Sequence, residues 1–420
     1  AAMEQFYAEQ PGEFAALISH HYESAGKPIS AAGYSARAAQ WLGLTDSAQA
    51  IKHWHKVRAL LAGQARHEPG ERLLALACSQ ISLLGWREGL NLEQVQPFID
   101  EAMELAVRVD KRLTQLLLTI EGRMLQASGG PADWYVKRVE EALRLVDAES
   151  DKGRLATLNA ALCHACGWAG LLNEALAASE VALAGVALID RADQDFMGFS
   201  VEQWVLGMRA RLLMRCGRFD EAQACWERML EVQGAAADPA VQVIRHLGFV
   251  ELAWCNDDAP LAQLHSSQLS EMAERHALPY LKPIALTCRG MALTIAADHD
   301  SAASAFDEAL ALVRGANLGI EYETEILAGH AECQRRARNI ERARALAQEA
   351  LDIARQRTMR LTECRAMTTL GAIMLDERGI EDSGACGMLE AADKLMGETG
   401  AFIYRKHLQA AIDRMQSLAA

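Results

Sequence analysis

A short signature recurs along this chain: a small residue, a bulky one four places later, and a small or apolar one three further on. It reads Ala175-Ser179-Ala182, Ala222-Trp226-Met229, Ala262-Ser266-Leu269, Ala302-Phe306-Ala309, Ala343-Ala347-Ala350 and Gly384-Met388-Ala391, with looser early copies at Ala50-Trp54-Val57 and Tyr135-Val139-Ala142. The last members fall at 182, 229, 269, 309, 350 and 391, so the steps are 47, 40, 40, 41 and 41. Residues spaced i, i+4, i+7 share one face of a helix. Self-similarity at such a period means stacked helical pairs, each too small to bury its own apolar face. The pattern leaves room for an all-α solenoid of about nine helix pairs and for little else.

Composition fits that reading. At 420 residues the chain is long for one compact core, and a linear array evades the limit because each unit packs on its neighbours. Runs such as 301–314 carry the amphipathic stripe in Ala302, Ala305, Phe306, Ala309, Leu310 and Val313. Turns are expected at Gly217-Arg218-Phe219-Asp220, Asp298-His299-Asp300 and Arg338-Asn339-Ile340. Prolines 97, 131, 239, 279 and 283 are expected between helices, where a missing N–H does least harm. The stretch 88–102, with Gly89, Asn91 and Pro97, reads as an irregular break. The wide step across 185–203 reads as a loop or short extra helix.

A net charge of −14 argues against nucleic acid or an anionic membrane as partner, since both demand a basic footprint. The arginines at 335, 336, 338, 342 and 344 are interleaved with Glu332, Glu341 and Glu349 and read as a solvated helix face. No apolar run reaches the roughly 20 residues of a membrane helix. The start, Ala1-Ala2-Met3-Glu4, shows no secretory signal, and Phe6, Tyr7, Phe14, Leu17 and Ile18 begin in mid-pattern, as at the cut end of a longer polypeptide. Ten scattered cysteines at small-residue positions imply a reducing, cytoplasmic setting.

Motifs that carry chemistry are missing from the sequence. Gly26-Lys27 is followed by Pro28 and lacks the glycine-rich lead of a phosphate loop, and no nucleophile elbow, zinc helix or calcium loop occurs. Cys163-His164-Ala165-Cys166 has two thiols on one helix face but no second pair to complete a zinc site, so both read as core residues. His53 and His55 are two apart and face different ways. Asp257-Asp258 reads as a capping pair in a turn. No cofactor or metal is expected, and this segment is expected not to be an enzyme.

The signature resembles the tetratricopeptide repeat, whose usual period is about 34 residues. That resemblance implies a right-handed superhelix in which the first helix of each pair lines a concave groove. Counting twelve back from Ala222, Ala262, Ala302 and Ala343 gives first-helix centres at Ala210, Val250, Gly290 and Ala331. The flanking groove positions are then Trp204, Arg211, Glu251, Trp254, Met291, Glu325, Glu332 and Arg335. Tryptophan and arginine are enriched at binding hot spots. The mixture suits a protein or peptide partner or a small polar inducer. Equally, Trp204 and Trp254 could pack between repeats as core.

A second resemblance rests on longer stretches. Ala16-Leu17-Ile18-Ser19-His20-His21-Tyr22-Glu23-Ser24-Ala25-Gly26, Tyr34-Ser35-Ala36-Arg37-Ala38-Ala39-Gln40-Trp41 and the segment from His53 to Leu61 are similar to the helices that follow the ATPase module in bacterial class III adenylate/guanylate cyclases with a STAND-type ATPase. Leu212 to Ala222 and Val250 to Cys255 look like the same family. The solenoid is also similar in kind to the sensor domain of the maltose-responsive transcription activator. No cyclase aspartates or phosphate loop lie in this sequence, so no catalytic residue carries over. The resemblance implies a helical region over 1–60 leading from an upstream ATPase or cyclase module, irregular repeats over 61–184, an insertion over 185–203, and regular repeats with a capping helix over 204–420. It implies a sensor or protein-interaction arm. The alternatives are a free-standing scaffold, the sensor arm of a STAND-type transcription regulator, and, from a third class, an enzyme hosted in the groove.

Overall fold

The computed structural model describes residues 12–43, 45–64, 67–232, 239–276, 278–378 and 383–419. The expectations placed on Ala1–Glu4, Phe6 and Tyr7 lie outside these residues. Among the described residues there are 21 α-helices, a few short 3-10 turns and no strands. After α1 (Ala15–Ser24) the first seven run α2 (Pro28–Leu42), α3 (Ser47–Leu61), α4 (Glu68–Gly85), α5 (Leu92–Val109), α6 (Lys111–Ala127), α7 (Ala132–Arg144) and α8 (Lys152–Ala169). Next come α9 (Leu172–Gly185), the short α10 (Arg191–Met197), α11 (Val201–Arg215), α12 (Phe219–Val232), α13 (Pro239–Asn256) and α14 (Ala259–Arg275). The chain finishes with α15 (Leu281–Ile295), α16 (His299–Ala316), α17 (Glu323–Arg336), α18 (Ile340–Gln356), α19 (Arg360–Arg378), α20 (Ser383–Thr399) and α21 (Arg405–Ala419). Consecutive helices from α2 pair as α2/α3, α4/α5 and onward to α19/α20, giving nine pairs, with α10 inserted after the fourth.

The signature residues form the seam within each pair. Ala50, Trp54 and Val57, Ala302, Phe306 and Ala309, and Ala343, Ala347 and Ala350 are all buried, as are their counterparts in α7, α9, α12 and α14. Three features differ from the sequence expectation. The stretch 88–102 is no break: Asn91 caps α5 in a reciprocal capping box with Gln94, and Val95, Ile99 and Ala102 are buried in the signature register. Pro97 lies inside α5, on its exposed side, and Pro283 sits in the first turn of α15, where its N–H would have no helical partner. In the last pair the buried triad is Ala385, Leu389 and Ala392, one residue later than Gly384-Met388-Ala391. Leu389 fills the space over Gly371, where an added Cβ would come within 2.7 Å of it.

The turn within a pair is also repeated. In seven successive pairs the first helix ends on a residue with positive φ: Gly89, Gly129, Gly170, Gly217, Asp257, Ala297 and Arg338. The following N–H donates to the carbonyl five residues back, as in Leu171 to Cys166, Arg218 to Leu213 and Asp258 to Ala253 at 2.9 Å. This is the Schellman closure, which satisfies helix-end carbonyls and sets the angle into the second helix. Asp258 and Asp298 then cap α14 and α16 through the N–H groups of Leu261 and Ser301.

The array curls until it touches itself. Arg123 of α6 reaches the buried Glu321 at 2.8 Å, and the Ala132 N–H donates to the Arg357 carbonyl at 2.8 Å. Thr358 donates to Asp133 at 3.0 Å and accepts from its N–H at 3.1 Å, across 225 residues of chain. The Asn317 amide donates to the Gly89 carbonyl at 3.3 Å, and a Cβ on Gly89 would lie 2.5 Å from the Ala316 carbonyl oxygen. Only glycine allows the two turns to approach so closely. The second to fourth pairs therefore pack on the seventh to ninth, and α21 folds back along the inner face, where Tyr404 reaches Glu251.

Candidate functional site

Because the array closes, its inner face becomes an axis lined by first-helix side chains. The eight sequence-predicted residues all face it, divided among three compartments. Trp204, Arg211 and Glu325 border a small cavity of about 80 Å³, whose aromatic wall comprises Trp86, Trp168, Tyr280 and Tyr322. Rings pack edge-on there, Trp86 with Tyr280 at 4.8 Å and Trp168 with Tyr322 at 5.1 Å between centroids. His164 meets Trp204 edge-on at 5.1 Å and accepts from the Trp168 indole N–H at 2.9 Å. Arg211, Glu251, Met291 and Glu325 border a second, narrower gap. Trp254, Glu332 and Arg335 border a third, of about 320 Å³, closed on one side by α21.

Trp254 is only 3% exposed, yet its ring forms cavity wall; Trp204 is half-buried between Phe199 and His164. Glu251, Met291 and Glu332 are buried, and Arg211, Glu325 and Arg335 are partly so.

Ion pairs bind the axis together. Glu251 accepts from Arg211 at 3.2 Å, from Arg215 at 3.1 Å and from the Tyr404 hydroxyl at 2.5 Å. Burial pushes its carboxyl up, but Arg215 and Arg211 pull harder, and the net shift is downward. Glu332 is likewise raised by burial and lowered further by its contacts with Arg335 and Arg336, for a net fall. Asp376 takes Arg335 at 3.0 Å and also Arg414. Asp257, in the αL turn, holds Arg336 at 2.8 Å and Lys406 at 3.2 Å, and contact with His407 is the first cause of its lowered pKa. The arginines read as a solvated face are thus divided: Arg335 and Arg336 turn inward, whereas Arg342 pairs with the exposed Asp307.

Several contributors were not singled out from sequence. Arg365, Tyr404, His407 and Arg414 also line the third compartment. The last three come from the turn before α21 and from α21 itself, outside the repeat register. The thiols are packing residues: burial pushes Cys163, Cys166, Cys288 and Cys364 up to about 12, which leaves them poor nucleophiles near neutrality. No group of His, Cys, Asp and Glu among the described residues could hold a metal ion. No described helix is long and apolar enough to cross a membrane.

No family model matches the sequence, and no curated protein matches it. Among solved structures, the chain is similar to a tetratricopeptide repeat protein from Parabacteroides merdae ATCC 43184, at 15% identity over 70% of this chain and 99% of that one, with a TM-score of 0.37. It is similar to a Rap protein complexed with Competence and Sporulation Factor, at 12% identity over 94% and 99% with a TM-score of 0.42. Yeast Tom70 matches at 14% identity over 98% and 97%, with a TM-score of 0.37. Each is a distant likeness and carries nothing about what this chain binds.

Proposed function

We propose that the chain is a non-catalytic recognition arm that receives its ligand or partner along the closed axis, in the compartments lined by Trp204, Arg211, Glu251, Trp254, Met291, Glu325, Glu332 and Arg335. One observation carries the reading. First helices of successive pairs direct charged and aromatic side chains inward, where a merely structural seam would be filled with aliphatic ones. Even when paired, buried charges add little net stability over apolar packing, so such an interior is more readily explained by recognition than by folding. By its resemblance to the class III cyclases with a STAND-type ATPase, the arm would bias an upstream nucleotide-handling module in the cytoplasm. That requires a ligand with different affinity for the two states.

The test has two parts. The purified 420-residue chain should neither hydrolyse ATP nor form a cyclic nucleotide, and robust turnover would overturn the reading. In the full polypeptide, Trp204→Ala should change nucleotide turnover by the upstream module. A natural start codon and promoter at this point of the gene would instead make the chain a free-standing scaffold.

A further inference from the structure

Six arginines gather along the axis from the fifth pair to α21: Arg211, Arg215, Arg335, Arg336, Arg365 and Arg414. Five of them meet carboxylates. Glu251 takes Arg211 and Arg215, Glu332 takes Arg335 and Arg336, and Asp376 takes Arg335 and Arg414. Arg365 is the exception. Among the described residues no carboxylate lies within ion-pair distance of it. Its guanidinium carbon instead stands 6.0 Å from the Trp254 ring centre and 5.8 Å from that of Tyr404. The Tyr404 hydroxyl is already committed to Glu251. An arginine does not shed its proton in a protein, so this side chain is a fixed cation that Glu325 and Glu251 offset only from beyond ion-pair distance.

The space beside it is the third compartment. Arg365 and Thr369 are four apart on α19 and so share one face, and both line this cavity of about 320 Å³. The neighbouring Thr368 hydroxyl donates back to the Cys364 carbonyl at 2.9 Å, whereas the Thr369 hydroxyl makes no such bond. Trp254 lines it with Arg336 5.7 Å from its ring centre and His407 edge-on at 6.5 Å, and α21 contributes His407 and Ala411 to the wall. At roughly 30 Å³ per liquid water the cavity holds about ten waters, the low end of the usual small-molecule pocket. A helix or a folded partner does not fit in it.

We propose that this compartment binds a small organic anion, whose carboxylate or phosphate pairs with Arg365 and Thr369 and whose flat body lies against Trp254. The planar guanidinium suits either oxyanion, since both accept two parallel N–H bonds. The inference rests on the reading of the axis as a ligand-receiving surface and names the chemistry of what it receives. It also makes α21 part of the site: an occupant would touch the C-terminal helix and the last three pairs at once.

The experiment is calorimetric titration of the intact 420-residue chain with benzoate, phenyl phosphate, inorganic phosphate and chloride. At least one aromatic anion should bind with one-to-one stoichiometry and quench tryptophan fluorescence; which one binds distinguishes carboxylate from phosphate. Arg365→Gln should weaken binding about ten-fold or more, and Arg365→Lys, which keeps the charge but loses the fork, by less. Arg191→Gln, at a 91% exposed position, should leave it unchanged. Without ligand, Arg365→Gln should keep the helical content and cooperative melt of the parent chain, because it breaks no ion pair, so a loss of binding reads the site and not the fold. Three results would each overturn the proposal: no saturable binding of either aromatic anion, equal binding to Arg365→Gln, or inorganic ions competing as tightly as the aromatic ones. Such a failure alongside an upstream response to Trp204→Ala would sink this inference alone.

Discussion

Phe306 lies wholly buried between two glycines, and its environment shows how finely the seam is fitted. A Cβ on Gly290 would lie 2.8 Å from the ring, one on Gly329 would lie 3.1 Å from it, and His330 stacks on it at 5.5 Å. Gly290→Ala gains about 1 kcal/mol of helix propensity but forces the ring aside, and overpacking costs about 1–3 kcal/mol. A net loss is expected, read as a lower urea midpoint with an unchanged slope. Adding Phe306→Leu should recover part of it; strict additivity would show that the two sites do not touch. The glycine was legible as a first-helix centre because the twelve-residue offset is local. The same local logic failed at the last pair, where Gly384-Ala385 and Ala391-Ala392 offer small residues in two adjacent registers. What decides between them is Leu389 against Gly371, a contact between helices that spacing alone does not contain.

At the scale of elements, α10 shows how an insertion is held. Its Asp193 accepts two bonds from Arg154 of α8, at 2.5 and 2.7 Å, and both side chains are almost fully buried. Arg154 also donates to the Arg112 carbonyl at 2.6 Å, tying α6, α8 and α10 together. Burial pushes the Asp193 carboxyl up despite this partner, the mark of a pair whose desolvation is costly. Asp193→Ala leaves a buried guanidinium without its carboxylate and should cost about 3–5 kcal/mol, whereas Arg154→Met with Asp193→Leu should be far milder. Thermal melts of the two variants decide the matter, and equal losses would mean that the pair only fills space. The sequence exposed the insertion through its wide step but not this anchor, which joins residues 39 apart. It misread 88–102 for the opposite reason. Gly89, Asn91 and Pro97 are ordinary punctuation, and here they mark a turn, a cap and an exposed helix face.

Over the whole molecule, buried histidines link stability to pH. Burial lowers His246, His265 and His330 to about 4, with neighbouring Arg245 adding to the effect on the first two, while Asp307 opposes it and Arg342 supports it at the third. Histidine in an unfolded chain titrates near 6.5. Between about 6.5 and about 4, therefore, the unfolded state takes up protons that the folded state refuses. Stability is full above that window and falls as pH drops through it, by up to about 3 kcal/mol for each ring. Urea midpoints should decline between about pH 7 and pH 5; a flat profile would mean that these rings are protonated in the fold. Nothing in the repeat signature foretold these histidines, nor the closure of the array. Single contacts such as Thr358 with Asp133 or Asn317 with Gly89 bridge more than two hundred residues and leave no periodic trace.

That closure has a bearing on how such a chain can evolve. An open solenoid tolerates gain or loss of a unit, because each unit answers only to its neighbours. Here the second to fourth pairs must arrive opposite the seventh to ninth, so removing one pair would rotate every later contact out of register. The number of repeats is fixed by the circumference, as the number of staves is fixed in a cask.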